Sequence, residues 1–126
     1  MNHKLDPSIP VMLSKIHRAK VTDAELDYEG SITIDPVLLE ASGIAEHQMV
    51  HVNNLANGVH WETYVLAGPR GKGRICLNGP PAHHFKPGDT IVIVAYGDIR
   101  QSELPFLKSA VVFVDKKNRI TKTKPV

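Results

Sequence analysis

An Asn57-Gly58 pair divides two strand-like runs, Met49 to Leu55 and His60 to Leu66. Both central residues of a tight type I′ turn need positive φ, which asparagine and glycine tolerate, so the pair predicts a β-hairpin. On its second strand Thr63 and Tyr64 fall on opposite faces unless a bulge intervenes. Elsewhere the chain supplies more strands and little helix. From Val11 to Thr22 β-branched and long polar residues alternate without a helical apolar stripe, which predicts a first strand with Lys15 and His17 on one face. Ser31 to Ile34, Arg74 to Leu77, Thr90 to Tyr96 and Ala110 to Val114 read as further strands, and Pro87-Gly88-Asp89 as a turn.

Asp35-Pro36 sets a capping side chain before a proline at the first helical position, and Gly43 follows, so a short helix is predicted at about 36–42. Gly68-Pro69-Arg70-Gly71-Lys72-Gly73 lacks the spacing of a nucleotide phosphate loop and precedes a strand, so it reads as a basic hairpin loop. Many short strands, one or two short helices and no βαβ rhythm predict an all-β fold, a small barrel. A length of 126 residues suits one hydrophobic core and not two, so residues 1–126 are expected to form a single domain.

A formal charge of +2 is too small to imply nucleic-acid binding, although Lys116-Lys117 through Lys124 is locally basic and reads as a frayed, solvated end. No apolar run approaches the roughly 20 residues that span a bilayer, and the polar start Met1-Asn2-His3-Lys4 lacks the apolar segment of a secretion signal. The cytoplasm is the expected compartment, with no membrane partner. The single cysteine, Cys76, lies between Ile75 and Leu77 and reads as a strand or core thiol. Of seven histidines only His83-His84 and the pair His47 and His51 are close in sequence, and neither spacing suits a strand-borne metal site, so no metal is expected.

The chemistry concentrates at Tyr28-Glu29-Gly30-Ser31, between a loop and a strand. A serine hydroxyl can attack the carbonyl of a preceding glycine, which has no side chain and permits the unusual φ/ψ that the attack needs. If the resulting ester breaks by β-elimination, the downstream piece begins with dehydroalanine, and hydrolysis then releases ammonia and leaves a ketone, a pyruvoyl group. Cleavage there divides the chain into residues 1–30 and 31–126.

The runs Met12 to Thr22 and Ala24 to Asp35 closely resemble the pyruvoyl-dependent aspartate 1-decarboxylases. The resemblance continues through Asn57-Gly58-Val59-His60-Trp61-Glu62-Thr63-Tyr64, Leu77 to His83, Gly88 to Ile93 and Val111 to Asp115 with Asn118 behind it. It implies a six-stranded double-psi β-barrel and a self-processing enzyme that converts L-aspartate to β-alanine and CO2 for pantothenate and coenzyme A synthesis. Its cofactor would be the pyruvoyl group made from Ser31, an electron sink for the departing carboxylate. As the resemblance implies, Gly30 supplies the scissile carbonyl and Ser31 the nucleophile. Thr63 and Asn78 assist cleavage, and Tyr64 delivers the proton to the decarboxylated intermediate. Lys15, His60 and Thr63 bind substrate, with His17 and Tyr28 in support. The resemblance also implies a homotetramer with active sites between subunits, and leaves room for a maturation factor.

One position departs from the pattern. Where the family normally carries an arginine for the substrate carboxylate, this chain has His60. Arginine is a planar, always charged, two-pronged donor, whereas histidine offers one donor at a time and is charged only in part near neutrality. The same pyruvoyl chemistry on a different amino acid therefore stands as an alternative, and an uncleaved, non-enzymatic barrel that binds a partner stands as a second.

Overall fold

The computed structural model describes residues 5–125, so Met1-Asn2-His3-Lys4 lies outside the described residues. Its elements are β1 (Ser8–Lys20), β2 (Asp23–Glu25), β3 (Ser31–Ile34), α1 (Pro36–Ser42), β4 (Met49–Asn54), β5 (His60–Ala67), β6 (Ile75–Asn78), β7 (Thr90–Arg100), β8 (Ala110–Val114) and β9 (Ile120–Pro125), with single 3-10 turns at Pro80–His83 and Gln101–Phe106. The strands form one ladder in the order β2-β6-β3-β5-β4-β7-β1-β8-β9. The fold is all-β with little helix, as the turn-rich strand pattern predicts and as the double-psi barrel architecture requires.

Alternation builds the core. Ile16 on β1, Ile32 and Ile34 on β3, Val50 and Val52 on β4, Val65 on β5, Ile75 and Leu77 on β6, and Ile91 and Ile93 on β7 are all fully buried. Each stands two residues from a partner on its own strand or opposite one across the ladder, so these strands turn a shared face inward. On β1 this face survives two register shifts, one between Met12 and Ser14 and one between Ile16 and Ala19, where Arg18 takes φ 61°. Helix α1 begins as its sequence predicts: the Asp35 carboxylate accepts from the Val37 N–H at 2.9 Å, Pro36 opens the first turn, and Gly43 at φ 74° closes the helix.

Three local expectations are corrected by longer-range contacts. The β4–β5 hairpin forms, but not through a type I′ turn, because only Gly58 takes positive φ and Asn57 does not. Asn54 is pinned inside by its amide, which donates to the His84 carbonyl and the Asp89 carboxylate at 2.9 Å each, so the chain turns beyond it. The Gly58 N–H then returns to the Asn54 carbonyl at 2.8 Å.

The Gly68–Gly73 segment is not a hairpin loop either. It joins β5 to β6, and β3 lies between those two strands. The loop wraps the Asp35 carboxylate, which accepts from the Gly71 and Gly73 N–H groups at 3.0 and 2.7 Å, while Arg70 grips Glu40 with both prongs. The basic tail, finally, is no frayed end. Residues Ile120–Pro125 form β9, antiparallel to β8, with Lys122 and Lys124 over the Phe113 ring. Asn118 anchors its turn: buried, its side chain accepts from the Lys20 N–H and donates to the Lys20 and Gly73 carbonyls.

Candidate active site

Strand β3 begins at Ser31, directly after the exposed bend that carries Tyr28 and Glu29. Gly30 and Ser31 take φ of 134° and 133°, a region that side chains rarely adopt, and Ser31 is fully buried. A serine held there costs of the order of 1–3 kcal/mol, which the neighbouring contacts must offset. They are specific. Ser31 pairs with Asn78 across the β3–β6 ladder, and the Asn78 amide donates to the Ser31 hydroxyl at 2.8 Å and to the Thr33 hydroxyl at 2.9 Å. Asn78 is itself held by the Cys76 thiol, which donates to its carbonyl oxygen at 3.3 Å. Burial pushes the Cys76 thiol up from its usual range, so it remains a neutral donor and not a thiolate.

Gly79 completes the junction. At φ 79° it lies so close beneath the bend that an added Cβ would stand 2.7 Å from the Tyr28 carbonyl oxygen and 2.9 Å from the Gly30 nitrogen. Only a glycine lets β6 approach the Gly30-Ser31 peptide this closely. The Gly79 N–H meanwhile bonds the Glu25 carbonyl at 2.7 Å. The arrangement holds a buried serine hydroxyl, bonded by Asn78, on a strained backbone immediately after the Gly30 carbonyl. Thr33, Cys76 and Gly79 are parts of this site that the sequence does not single out. Only the Ser31/Thr33 alternation and the Asn78-Gly79 pair hint at them.

The remaining expected residues are dispersed. Thr63 lies half-buried opposite Val50 and Tyr64 exposed opposite Met49, on opposite faces of β5 as the alternation requires. The β3–β5 pairing starts one residue later, at Ile32 and Val65, and among the described residues neither side chain bonds the Ser31 hydroxyl. Lys15 and His17 share a face, as predicted, and line a groove of about 400 Å³ with Met12, Val111 and Phe113. Burial, followed by the charges of Lys15, Arg18 and Lys124, holds His17 below its ordinary range, so its ring tends to be neutral. In the ladder β5, β4 and β7 stand between β3 and β1. His60 sits on the outer face of β5, its Nδ1 on the Asn53 side-chain oxygen at 2.6 Å and its Nε2 on His51 Nδ1 at 3.2 Å.

Residues 8–121 match the profile of a family described as aspartate decarboxylase. The chain belongs to the aspartate decarboxylase family. It is 52% identical over 116 residues to an aspartate 1-decarboxylase of Acetivibrio thermocellus, covering 92% of each chain. Aspartate 1-decarboxylases of Myxococcus xanthus (50% over 107 residues, 85% of this chain and 82% of that one) and Lactiplantibacillus plantarum (49% over 114 residues, 90% and 88%) are similar to it as well. The family match spans the strained junction, β1 with Lys15 and His17, and the β4–β5 hairpin alike. Among the described residues no helix of this family member is long and apolar enough to cross a membrane.

Proposed function

We propose that the protein is a self-processing, pyruvoyl-dependent decarboxylase that converts L-aspartate to β-alanine and CO2. The observation that carries this reading is Ser31: a buried serine hydroxyl, bonded by Asn78, on a backbone held at positive φ immediately after Gly30. The Ser31 oxygen adds to the Gly30 carbonyl carbon and the Gly30–Ser31 C–N bond breaks, the hydroxyl proton passing to the departing nitrogen. The ester so formed loses the Ser31 Cα proton, its Cβ–O bond breaks, and Gly30 leaves as a carboxylate. Water then replaces the nitrogen at residue 31 and ammonia is released. In this sequence Asn78 orients the hydroxyl, and Thr63 steadies the charge that gathers on the Gly30 carbonyl oxygen.

The donor set fits a pyruvoyl group at residue 31, since Asn78 and Thr33 offer polar atoms there and residue 31 is fully buried. Such a group supplies a carbonyl that condenses with the substrate amine and accepts the electron pair left by CO2. Around it Tyr64 holds the proton for the product, Lys15 meets substrate negative charge, and His17 and Tyr28 support the pocket. Lys15 and Ser31 are separated within one chain, and Met49, Tyr64 and Tyr96 expose large apolar surface. Both facts favour a homotetramer whose active sites form between chains.

His60 favours a second reading, the same chemistry on another amino acid. Its two nitrogens already face Asn53 and His51, and the Glu62 carboxylate stands 3.7 Å away, a poor setting for a second carboxylate. Intact-mass measurement of protein purified without other factors tests the core of the proposal: pieces of 30 and 96 residues are expected, the longer with a blocked N-terminus. A single uncut chain that gains no activity would leave the uncleaved binding barrel, and cleavage only on adding cell extract would demand a maturation factor. Assaying β-alanine formation from aspartate beside a panel of other amino acids separates the two substrate readings.

A further inference from the structure

The hairpin carries a second cluster, away from Ser31. The β4–β5 register sets His51 opposite Glu62 and Asn53 opposite His60, on the face turned away from the buried Val50 and Val52. It thereby gathers His51, His60 and Glu62, which each offer a ligand atom within 4.8 Å of the others. The sequence hides this set because His51 and His60 are nine residues apart and meet only across the ladder.

The ligand atoms are oriented as well as near. His60 Nδ1 meets the Asn53 side-chain oxygen at 2.6 Å, and that oxygen only accepts, so the ring donates from Nδ1 and aims its Nε2 lone pair at His51, whose Nδ1 proton an ion would displace. His60 Nε2 lies 3.2 Å from His51 Nδ1 and 3.7 Å from Glu62 Oε2. Two ligands on a tetrahedral ion with bonds of about 2.0–2.1 Å stand about 3.3 Å apart, so these two spacings are close to those of such an ion, while Glu62, 3.8 Å from His51 Nε2, must move in to complete the set. The Tyr96 ring braces the edge of His51, their centroids 4.8 Å apart. His60 and Glu62 are about half exposed, with side-chain exposures of 48% and 53%, which leaves an entry path.

We propose that a ring nitrogen of His51, His60 Nε2 and Glu62 bind one divalent transition-metal ion of the zinc class, with the fourth position open to solvent or to an anionic oxygen. Two imidazoles and a carboxylate suit zinc, and an ion here would also neutralise the Glu62 charge beside His60. The site is independent of whether Gly30-Ser31 is cut.

The test uses untagged full-length protein, titrated with cobalt(II) and, separately, dialysed against zinc with a competing chelator. One equivalent should bind, with the intense visible absorption of tetrahedral cobalt. Glu62→Gln should weaken zinc binding about 10-fold or more, and Asn53→Ala about 10–100-fold by releasing the His60 ring. His51→Ala combined with His60→Ala should abolish it while the circular dichroism of the fold persists. No saturable binding to the native chain, or an equivalent retained by the double variant through other histidines, overturns the proposal.

Discussion

Ser31 shows how much a single backbone angle asks of its neighbours. At φ 133° the residue is held by its pairing with Asn78 and by the close seat of Gly79, and not by any preference of its own. Ser31→Ala should therefore fold and remain a single chain by intact mass, because the nucleophile is gone while the seat is unchanged. Asn78→Ala removes the donor from two hydroxyls and the acceptor from the Cys76 thiol. It should slow cleavage about 100-fold, read from the mass over time. It should also lower stability by about 1–3 kcal/mol in urea, because buried polar groups lose their partners. The Gly30-Ser31 dipeptide was legible only through its surroundings, since glycine before serine is most often an ordinary turn and the flanking runs are what single it out. Cys76 and Thr33 were not, because their part depends on a β3–β6 pairing between residues more than forty positions apart.

At the scale of elements, Asp35 ties helix α1 to the Gly68–Gly73 loop. Burial pushes its carboxyl up, but the Gly71, Val37 and Gly73 N–H groups, with Arg70 nearby, outweigh that and hold it below its ordinary value near 3.8. The folded state thus favours the ionised form, and the linkage stabilises the protein above pH 3.8 and fades as pH falls through the depressed folded value. Asp35→Asn should cost about 2–3 kcal/mol at pH 7 and flatten the loss of stability as pH falls below 3.8, as urea unfolding at several pH values will show. Gly79→Ala tests the other close approach: its Cβ meets two backbone groups of the bend, so cleavage should stop in a chain that still shows strand circular dichroism. The α1 caps and most strands could be read from local pattern. The β5–β6 connection and β9 could not, because β3 slots between two strands that follow one another in sequence, and because the tail is ordered by the open edge of β8. The turn type at Asn57-Gly58 escaped for a similar reason, the distant hold of His84 and Asp89 on Asn54.

For the whole molecule, the proposed function makes assembly the property to test, because β5, β4 and β7 stand in the ladder between the strands of Ser31 and Lys15. Light scattering should report a tetramer, and diluting the protein until it dissociates should remove decarboxylation; a fully active monomer would place all the chemistry within one chain. A different consequence lies in β1. This strand is inserted between β7 and β8, and it belongs to the piece upstream of Ser31, while both its neighbours belong to the piece downstream. On the proposed cleavage the shorter piece should stay clasped between those neighbours, and native gel filtration should never release it. Unfolding is another matter, for the two pieces then drift apart and must find each other again by collision, and the uncut serine no longer exists to repeat the first passage. A protein processed in this way would carry a history. Denaturation would erase it beyond rewriting, and its lifetime should then follow how slowly it opens and not how well its parts would reassemble.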